Sequence, residues 1–160
     1  MFFKKIPMTI NGAEILKKQL LNLKKVQRPK VILDITRARG HGDLKENVEY
    51  HSAREEQSFI EGKIQEIENK LSKAQIIDIK KIPRNNVVVF GTTIELLNIL
   101  NKETSTYQIV GEDEANINKR KISIISPLAR SLIGKEEGDK VVVETPKGND
   151  VYEIVSIKYL

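Results

Sequence analysis

The sequence contains no cysteine and no tryptophan, and only two of its 160 residues are histidine. The absence of cysteine excludes disulfide bonds, thiolate zinc sites and cysteine nucleophiles. Two histidines leave little for a histidine-based metal cage. No stretch approaches the about eighteen apolar residues of a membrane-spanning helix, and charge interrupts the chain start too early for a secretory leader. We therefore expect a protein of the cytoplasm.

The excess of positive charge is confined to the first half of the chain. The net charge is +5, and residues 1–75 carry 15 Lys and Arg against 10 Asp and Glu, whereas residues 76–160 carry 12 of each. A basic half indicates a polyanionic neighbour such as nucleic acid, or simply a solvated, lysine-rich helix face. Composition alone favours the solvated face.

Two amphipathic helices are predicted in the first half. Apolar residues recur at spacings near three and four after Thr9, a suitable N-cap, and again beyond a glycine-containing break. Pro29 lies inside the first helix and predicts a kink or a short break, because proline lacks a backbone N–H and clashes with the preceding turn. The two apolar stripes are Ala13, Leu16, Leu20, Leu23, Val31, Ile35 and Ala38, then Ala53, Ile60, Ile64, Ile67, Leu71 and Ala74.

These helices are predicted to form an antiparallel hairpin. A connection of about three residues containing Gly40 and Gly42 brings the two stripes together, since no other element is close in sequence. A helix over residues 9–40 would be about 48 Å long at about 1.5 Å per residue. A compact domain of this size does not need such a rod. We interpret it as a reaching device, with a dimerising coiled coil as the alternative.

The second half predicts a small α+β domain, so the fold class is α+β with an N-terminal antiparallel coiled-coil hairpin. A short helix is predicted from the N-cap Ser126 and the first-position Pro127, carried by residues 128–133 and ended by Gly134. Residues 76–82 are rich in β-formers. Strands are expected near residues 87–90, 93–99, 104–110, 121–125, 139–145 and 151–158.

Asp43 and Glu46 are the most informative residues of the connection. Their spacing at a helix start resembles a capping box, in which Asp43 accepts from early backbone N–H groups and Glu46 reaches back. Alternatively, both carboxylates face outward and hold a divalent cation. Magnesium usually takes only one or two protein carboxylates, so the pair would form a half-site that another molecule completes.

Basic and aromatic side chains surround these acids. Guanidinium forks suit RNA phosphate, although they also suit the nearby carboxylates or solvent. His41, between two glycines, is expected to be solvated, and Tyr50 and His51 are expected to pack against the opposite helix. The candidate contacts to RNA or a protein partner are Arg37, Arg39, Arg54, Lys24, Lys25 and Arg28.

Residues 42–57, Gly-Asp-Leu-Lys-Glu-Asn-Val-Glu-Tyr-His-Ser-Ala-Arg-Glu-Glu-Gln, closely resemble the loop and second-helix motif of the GreA/GreB family of bacterial transcript cleavage factors. Four further segments match that family in order and spacing: residues 7–14, 28–29, 109–115 and 126–139. The unbroken Gly-Lys-Glu-Glu-Gly-Asp of residues 134–139 and the modest net charge are similar to the GreA-like members.

The resemblance implies a hairpin domain over residues 1–77, a linker over 78–84 and an FKBP-like domain over 85–160 that docks on RNA polymerase. The hairpin would enter the polymerase secondary channel. Asp43 and Glu46 would there help position a magnesium ion and the attacking water, so that the polymerase active centre hydrolyses backtracked RNA near its 3′ end. Such a factor is not itself an enzyme, holds no cofactor of its own, works as a monomer and needs no membrane.

The docking contact implied on the polymerase rim is the start of the short helix, at Ser126, Pro127 and Leu128, with ordinary N-capping as the alternative. Three rival functions stay open. They are a channel-binding inhibitor that promotes no cleavage, a coiled-coil adaptor, and an autonomous metal-dependent nuclease. Intact Asp43 and Glu46 argue against the inhibitor, and the small number of metal ligands argues against the nuclease.

Overall fold

A computed structural model describes residues 5–43 and 47–160 of the chain. These residues divide into two compact units, the first formed by residues 13–74 and the second by residues 5–12 together with 75–160. No helix within the described ranges has both the length and the apolar character needed to cross a membrane.

The first unit is helical and confirms the predicted pair of apolar stripes. Its elements are α1 (Ile10–Asn22), a π-helical segment (Leu23–Gln27), α2 (Arg28–Arg39) and α3 (Val48–Lys73). Helices α2 and α3 pack together. The core of this unit consists of the buried Leu23, Val31, Ile60, Ile64 and Ile67, with Leu16, Leu20 and Leu71 packed against it.

The break predicted at Pro29 is a change of helix type. Pro29 occupies the first turn of α2, directly after the π-helical segment, in which the N–H of Arg28 donates to the carbonyl of Leu23 five residues back. The apolar stripe shows why. Leu23 and Val31 are eight residues apart where the three–four pattern needs about seven, and a π turn accommodates the additional residue. Both side chains therefore reach the same core.

Helix α3 begins later than predicted. Helix α2 ends at Arg39 and α3 begins at Val48. The expected three-residue connection was wrong because Asn47 is the N-cap of α3: its side chain accepts a hydrogen bond from the backbone of Tyr50 at 3.1 Å.

The second unit contains a five-stranded sheet, a two-stranded sheet and the short helix α4 (Pro127–Leu132). The five strands lie in the order β5 (Lys121–Ser123), β4 (Thr104–Val110), β3 (Thr93–Asn98), β7 (Gly148–Lys158) and β6 (Lys140–Thr145). Only the β4–β5 pair is parallel. The core of the second unit contains the fully buried side chains of Ile94, Leu96, Ile109 and Leu132. This confirms the α+β class and the predicted short helix, which ends before Gly134 at φ +84°.

Two strand predictions need correction. Residues 87–90 form no strand: the buried Val88 exchanges backbone hydrogen bonds with Lys135 and Gly134 at 2.8 and 2.9 Å, and Val87 forms an isolated bridge. The β-rich stretch after residue 75 is divided between β2 (Ala74–Ile77) and a 3₁₀ turn (Ile79–Lys81), and the partner of β2, β1 (Ile6–Thr9), was not predicted.

Candidate functional site in the hairpin loop

The loop after α2 exposes Asp43. Gly40, His41, Gly42 and Asp43 are all solvent-exposed, and Gly42 has φ +116°, a conformation that favours glycine. Glu46, the second predicted acid, lies outside the described residues, so the distance between the two carboxylates stays untested. Asp43 is thus presented on a turn that begins directly after α2.

Asn47 holds the base of this loop and was not recognised in the sequence. Its side-chain oxygen accepts from the N–H of Tyr50, and its side-chain nitrogen donates to the carbonyl of Ala38 at 2.6 Å. The residue therefore caps α3 and the end of α2 at once. Asn47 is the N-cap of α3, whereas the predicted capping box joins Asp43 to Glu46, which lies outside the described residues, and stays a prediction. The signal was present, since asparagine is among the best N-caps.

The two histidines lie near the loop in different settings. His41 Nε2 is 3.6 Å from Glu49 Oε2, and both side chains are exposed. The rings of Tyr50 and His51 meet edge to face, with centroids 5.5 Å apart. Tyr50 is half-buried and His51 is exposed, and the packing of the two against the opposite helix stays a prediction.

Two of the predicted contact residues are engaged in ion pairs across the hairpin. Arg28 donates to both carboxylate oxygens of Glu61 at 2.7 and 2.8 Å, and Lys24 Nζ lies 2.5 Å from Glu68. The hydrogen bond from Arg28 lowers the pKa of Glu61, and the same bond raises the pKa of Arg28. These two cations are therefore partly neutralised by the chain itself.

The remaining predicted cations differ in this respect. Within residues 5–43 and 47–160, Lys25, Arg37 and Arg39 have no carboxylate within 4.0 Å of their charged nitrogens, and all three are exposed. Arg54 donates to the side chain of Gln57 at 3.1 Å. Lys25 and, in the last turn of α2, Arg37 and Arg39 are consequently the predicted cations that no described carboxylate pairs.

Asp43 is the acidic side chain that the described part of the loop offers to a metal ion. No group of three or more His, Asp or Glu side chains capable of holding a metal occurs in the part of the chain that the structure describes. Asp43 offers an exposed carboxylate oxygen, the ligand type that magnesium prefers. With Glu46 it would supply at most two protein ligands, and the other positions would be open to a partner and water.

The predicted docking segment, residues 126–128, forms the N-terminus of α4. Ser126 accepts a hydrogen bond from the N–H of Ala129 at 3.3 Å and is the N-cap of α4, and Pro127 follows in the first turn. Pro127 is exposed, while Leu128 is half-buried and packs against the core of the second unit. The capping role is therefore present, and Pro127 is the most accessible of the three residues.

Glu114 lies within the family motif of residues 109–115, and the sequence predicted no role for it. In the second unit its carboxylate accepts from the N–H of Thr9 at 3.1 Å, from the N–H of Gly111 at 2.9 Å, and from the hydroxyl of Thr9. Thr9 in turn caps α1, accepting from Gly12 at 3.1 Å, as predicted. A Cβ on Gly12 would overlap the Glu114 side chain, which explains the glycine. Glu114 thus fixes the first turn of α1.

Comparison with known proteins agrees along the whole chain. Residues 6–76 match the family described as "Transcription elongation factor, N-terminal", and residues 83–159 match "Transcription elongation factor, GreA/GreB, C-term". Transcription elongation factor GreA of Francisella tularensis subsp. novicida is 54% identical over 155 residues, which cover 97% of this chain and 97% of the relative. The same protein of the subspecies mediasiatica gives the same values.

Solved structures of the same kind are also similar. GreA factor homolog 1 of Thermus thermophilus has 27% sequence identity and a TM-score of 0.43, and the match covers 97% of this chain and 99% of that one. The two family matches, together with the 54% identity to the curated relatives, show the family of this chain. The chain belongs to the GreA/GreB family of transcription elongation factors.

Proposed function

We propose that this elongation factor binds bacterial RNA polymerase through the secondary channel and stimulates the polymerase's intrinsic endonucleolytic cleavage of backtracked nascent RNA. The observation that carries the proposal is the exposed Asp43 on the loop between two long helices, in a chain of the GreA/GreB family. Arrested complexes would be released because cleavage creates a new RNA 3′ end in the active centre. The chain would act in the cytoplasm as a monomer and would not hydrolyse RNA alone.

In the proposed mechanism, Asp43 and Glu46 supply carboxylate ligands to a magnesium ion shared with the polymerase. When bound, that ion would stabilise charge on the phosphate and activate the attacking water. Asp43 would accept a hydrogen bond from the water and orient it. Asn47 would hold the loop in place, because it ties the first turn of α3 to the end of α2. Arg37 and Arg39 would meet RNA phosphates beside the acids.

The second unit would dock on the rim of the channel through the start of α4, with Pro127 as the accessible contact and Ser126 and Leu128 as its support. The division into a hairpin domain over 1–77, a linker over 78–84 and a docking domain over 85–160 belongs to this proposal.

The deciding experiment is the Asp43→Asn substitution. Asparagine keeps one oxygen acceptor but carries no charge, so it should hold magnesium poorly. Because Asn47 is the N-cap of α3 and asparagine has the size of aspartate and caps about as well, the thermal unfolding midpoint should change little. We expect RNA cleavage by stalled elongation complexes to fall at least about tenfold, which is about 1.4 kcal/mol in transition-state stabilisation. Competition for polymerase binding should be unaffected.

Asp34→Asn, the same change on α2, is the matched control and should leave cleavage unaltered. Unchanged cleavage with Asp43→Asn would remove the metal-ligand role. Wild-type protein that binds polymerase and blocks transcription without cleavage would favour the channel-binding inhibitor instead.

A further inference from the structure

Strand β6 lies at the free edge of the five-stranded sheet. It pairs with β7 on one side, and no strand follows it on the other among the residues that the structure describes. The buried Val141 and Val143 point into the core, whereas Val142 is 56% exposed and Lys140 and Glu144 are exposed on either side of it. The exposed face of this edge therefore carries a cation at Lys140, an apolar side chain at Val142 and an anion at Glu144.

The backbone N–H and C=O groups of Lys140, Val142 and Glu144 are available for hydrogen bonds outside the sheet. Thr145 pairs with Gly148 across a two-residue turn, and the register continues as Val143 with Asp150 and Val141 with Tyr152. The N–H of Ile154 donates to the carbonyl of Asp139 at 2.9 Å, which continues the series. In an antiparallel pair only alternate residues bond to the neighbouring strand. The N–H and C=O groups of Lys140, Val142 and Glu144 consequently point away from β7.

We propose that β6 pairs antiparallel with β6 of a second copy of this chain, about a twofold axis at Val142. The twofold axis places Val142 opposite its counterpart and Lys140 opposite Glu144 in both directions. Each outward-pointing residue then faces another outward-pointing residue, which is the arrangement that exchanges both hydrogen bonds. Opposite charges directly across strands are favourable, whereas like charges are not. The edge is complementary to itself in charge, side-chain size and hydrogen-bond register at once.

No other register satisfies all three conditions. A shift of the axis by one residue, to Val141 or Val143, still lets outward-pointing residues face each other, but it places Val142 opposite Lys140 or Glu144 and forms no pair of opposite charges. A shift by two residues places Lys140 or Glu144 opposite its own copy and brings like charges together. One strand is a small interface, so the pair should be weak and the dilute chain monomeric.

Sedimentation velocity across a concentration series reaching the millimolar range tests this pairing on the full chain. The sedimentation coefficient of the wild type should rise with concentration. Lys140→Glu and Glu144→Lys should each weaken association at least about tenfold, since each creates two like-charge contacts. An equimolar mixture of the two variants should associate as the wild type does, because every contact then joins opposite charges. The double variant should do the same.

Two controls separate pairing from other effects. Lys147→Glu makes the same charge change in the turn beyond β6 and should leave association unchanged. Thermal unfolding of every variant reports whether the fold is intact. At high concentration, amide hydrogen exchange should slow at Lys140, Val142 and Glu144 but not at Val141 and Val143. Concentration-independent sedimentation of the wild type, or no recovery in the mixture, would overturn the proposal, and neither result bears on polymerase cleavage.

Discussion

At the scale of single residues, the basic side chains of the hairpin fall into two groups that composition could not distinguish. Arg28 and Lys24 are paired with Glu61 and Glu68, whereas Arg37 and Arg39 have no such partner in the described part of the chain. A cation that already contacts a carboxylate is partly neutralised and attracts a phosphate less strongly. The proposed RNA contact should therefore depend mainly on the last turn of α2.

Arg37→Ala should weaken binding to backtracked complexes more than Lys24→Ala does. Each lost phosphate contact on single-stranded RNA should reduce the slope of log affinity against log salt by about 0.7. The measurement is the affinity for a stalled complex at several salt concentrations. Equal slopes for wild type and Arg37→Ala would show that the arginine is only solvated.

The loop residues show what the sequence could and could not tell. Asp43 was identified by its chemistry and by a family motif, and the structure exposes it. Asn47 was missed because the spacing of Asp43 and Glu46 resembles a capping box, and only the observed start of α3 at Val48 identifies Asn47 as its N-cap. Ion pairs such as Arg28 with Glu61 join residues 33 positions apart and depend on how the two helices are aligned.

At the scale of elements, the long periodic segments were predicted well, whereas strand β1 was missed and a strand was wrongly expected at residues 87–90. Helices α2 and α3 follow from apolar stripes that repeat over many residues. Strand β1 has four residues and includes Pro7, so it carries little β signal. Residues 87–90 have the composition of a strand, but tertiary contacts with the segment after α4 hold them as a loop. Such contacts are not encoded locally.

The first turn of α1 provides the prediction at this scale. Glu114→Ala would remove the acceptor shared by Thr9 and Gly111 and leave their N–H groups without that partner. Each unsatisfied buried donor costs about 1–3 kcal/mol, and partial exposure reduces this, so we expect a loss of about 1–3 kcal/mol in the free energy of unfolding. Urea unfolding monitored by circular dichroism measures it. Glu112→Ala, an exposed neighbour, is the control and should have little effect.

At the scale of the whole molecule, the second unit is assembled from two distant parts of the chain. Strand β1 and the cap of α1 come from residues 5–12, whereas the remainder begins at residue 75. The sequence predicted two domains in succession. It did not predict this contribution from the start of the chain, because the contacts between Thr9 and Glu114 span 105 positions.

A fragment of residues 75–160 should therefore be less stable than the same fragment carrying residues 5–12 through a short glycine linker. The shorter fragment lacks the partner of β2 and the donors from Thr9. Thermal unfolding of both fragments tests this expectation. Both should compete with the full chain for polymerase without stimulating cleavage, because neither contains Asp43. Loss of competition by the more stable fragment would exclude docking through α4.

The π-helical segment has a consequence for how the length of the first helical strand can vary. A surplus residue between Leu23 and Val31 would turn everything beyond it by about 100° in a regular helix and carry Val31 and Ile35 out of the core. The wide turn confines that rotation to five residues, and Pro29, which could not continue a regular ladder without clashing, fixes where it occurs. The π-helical segment thus accommodates one inserted residue without changing which side chains face α3. A chain with one residue fewer between Leu23 and Val31, and without Pro29, would present the same apolar face to α3 on a continuous α-helix.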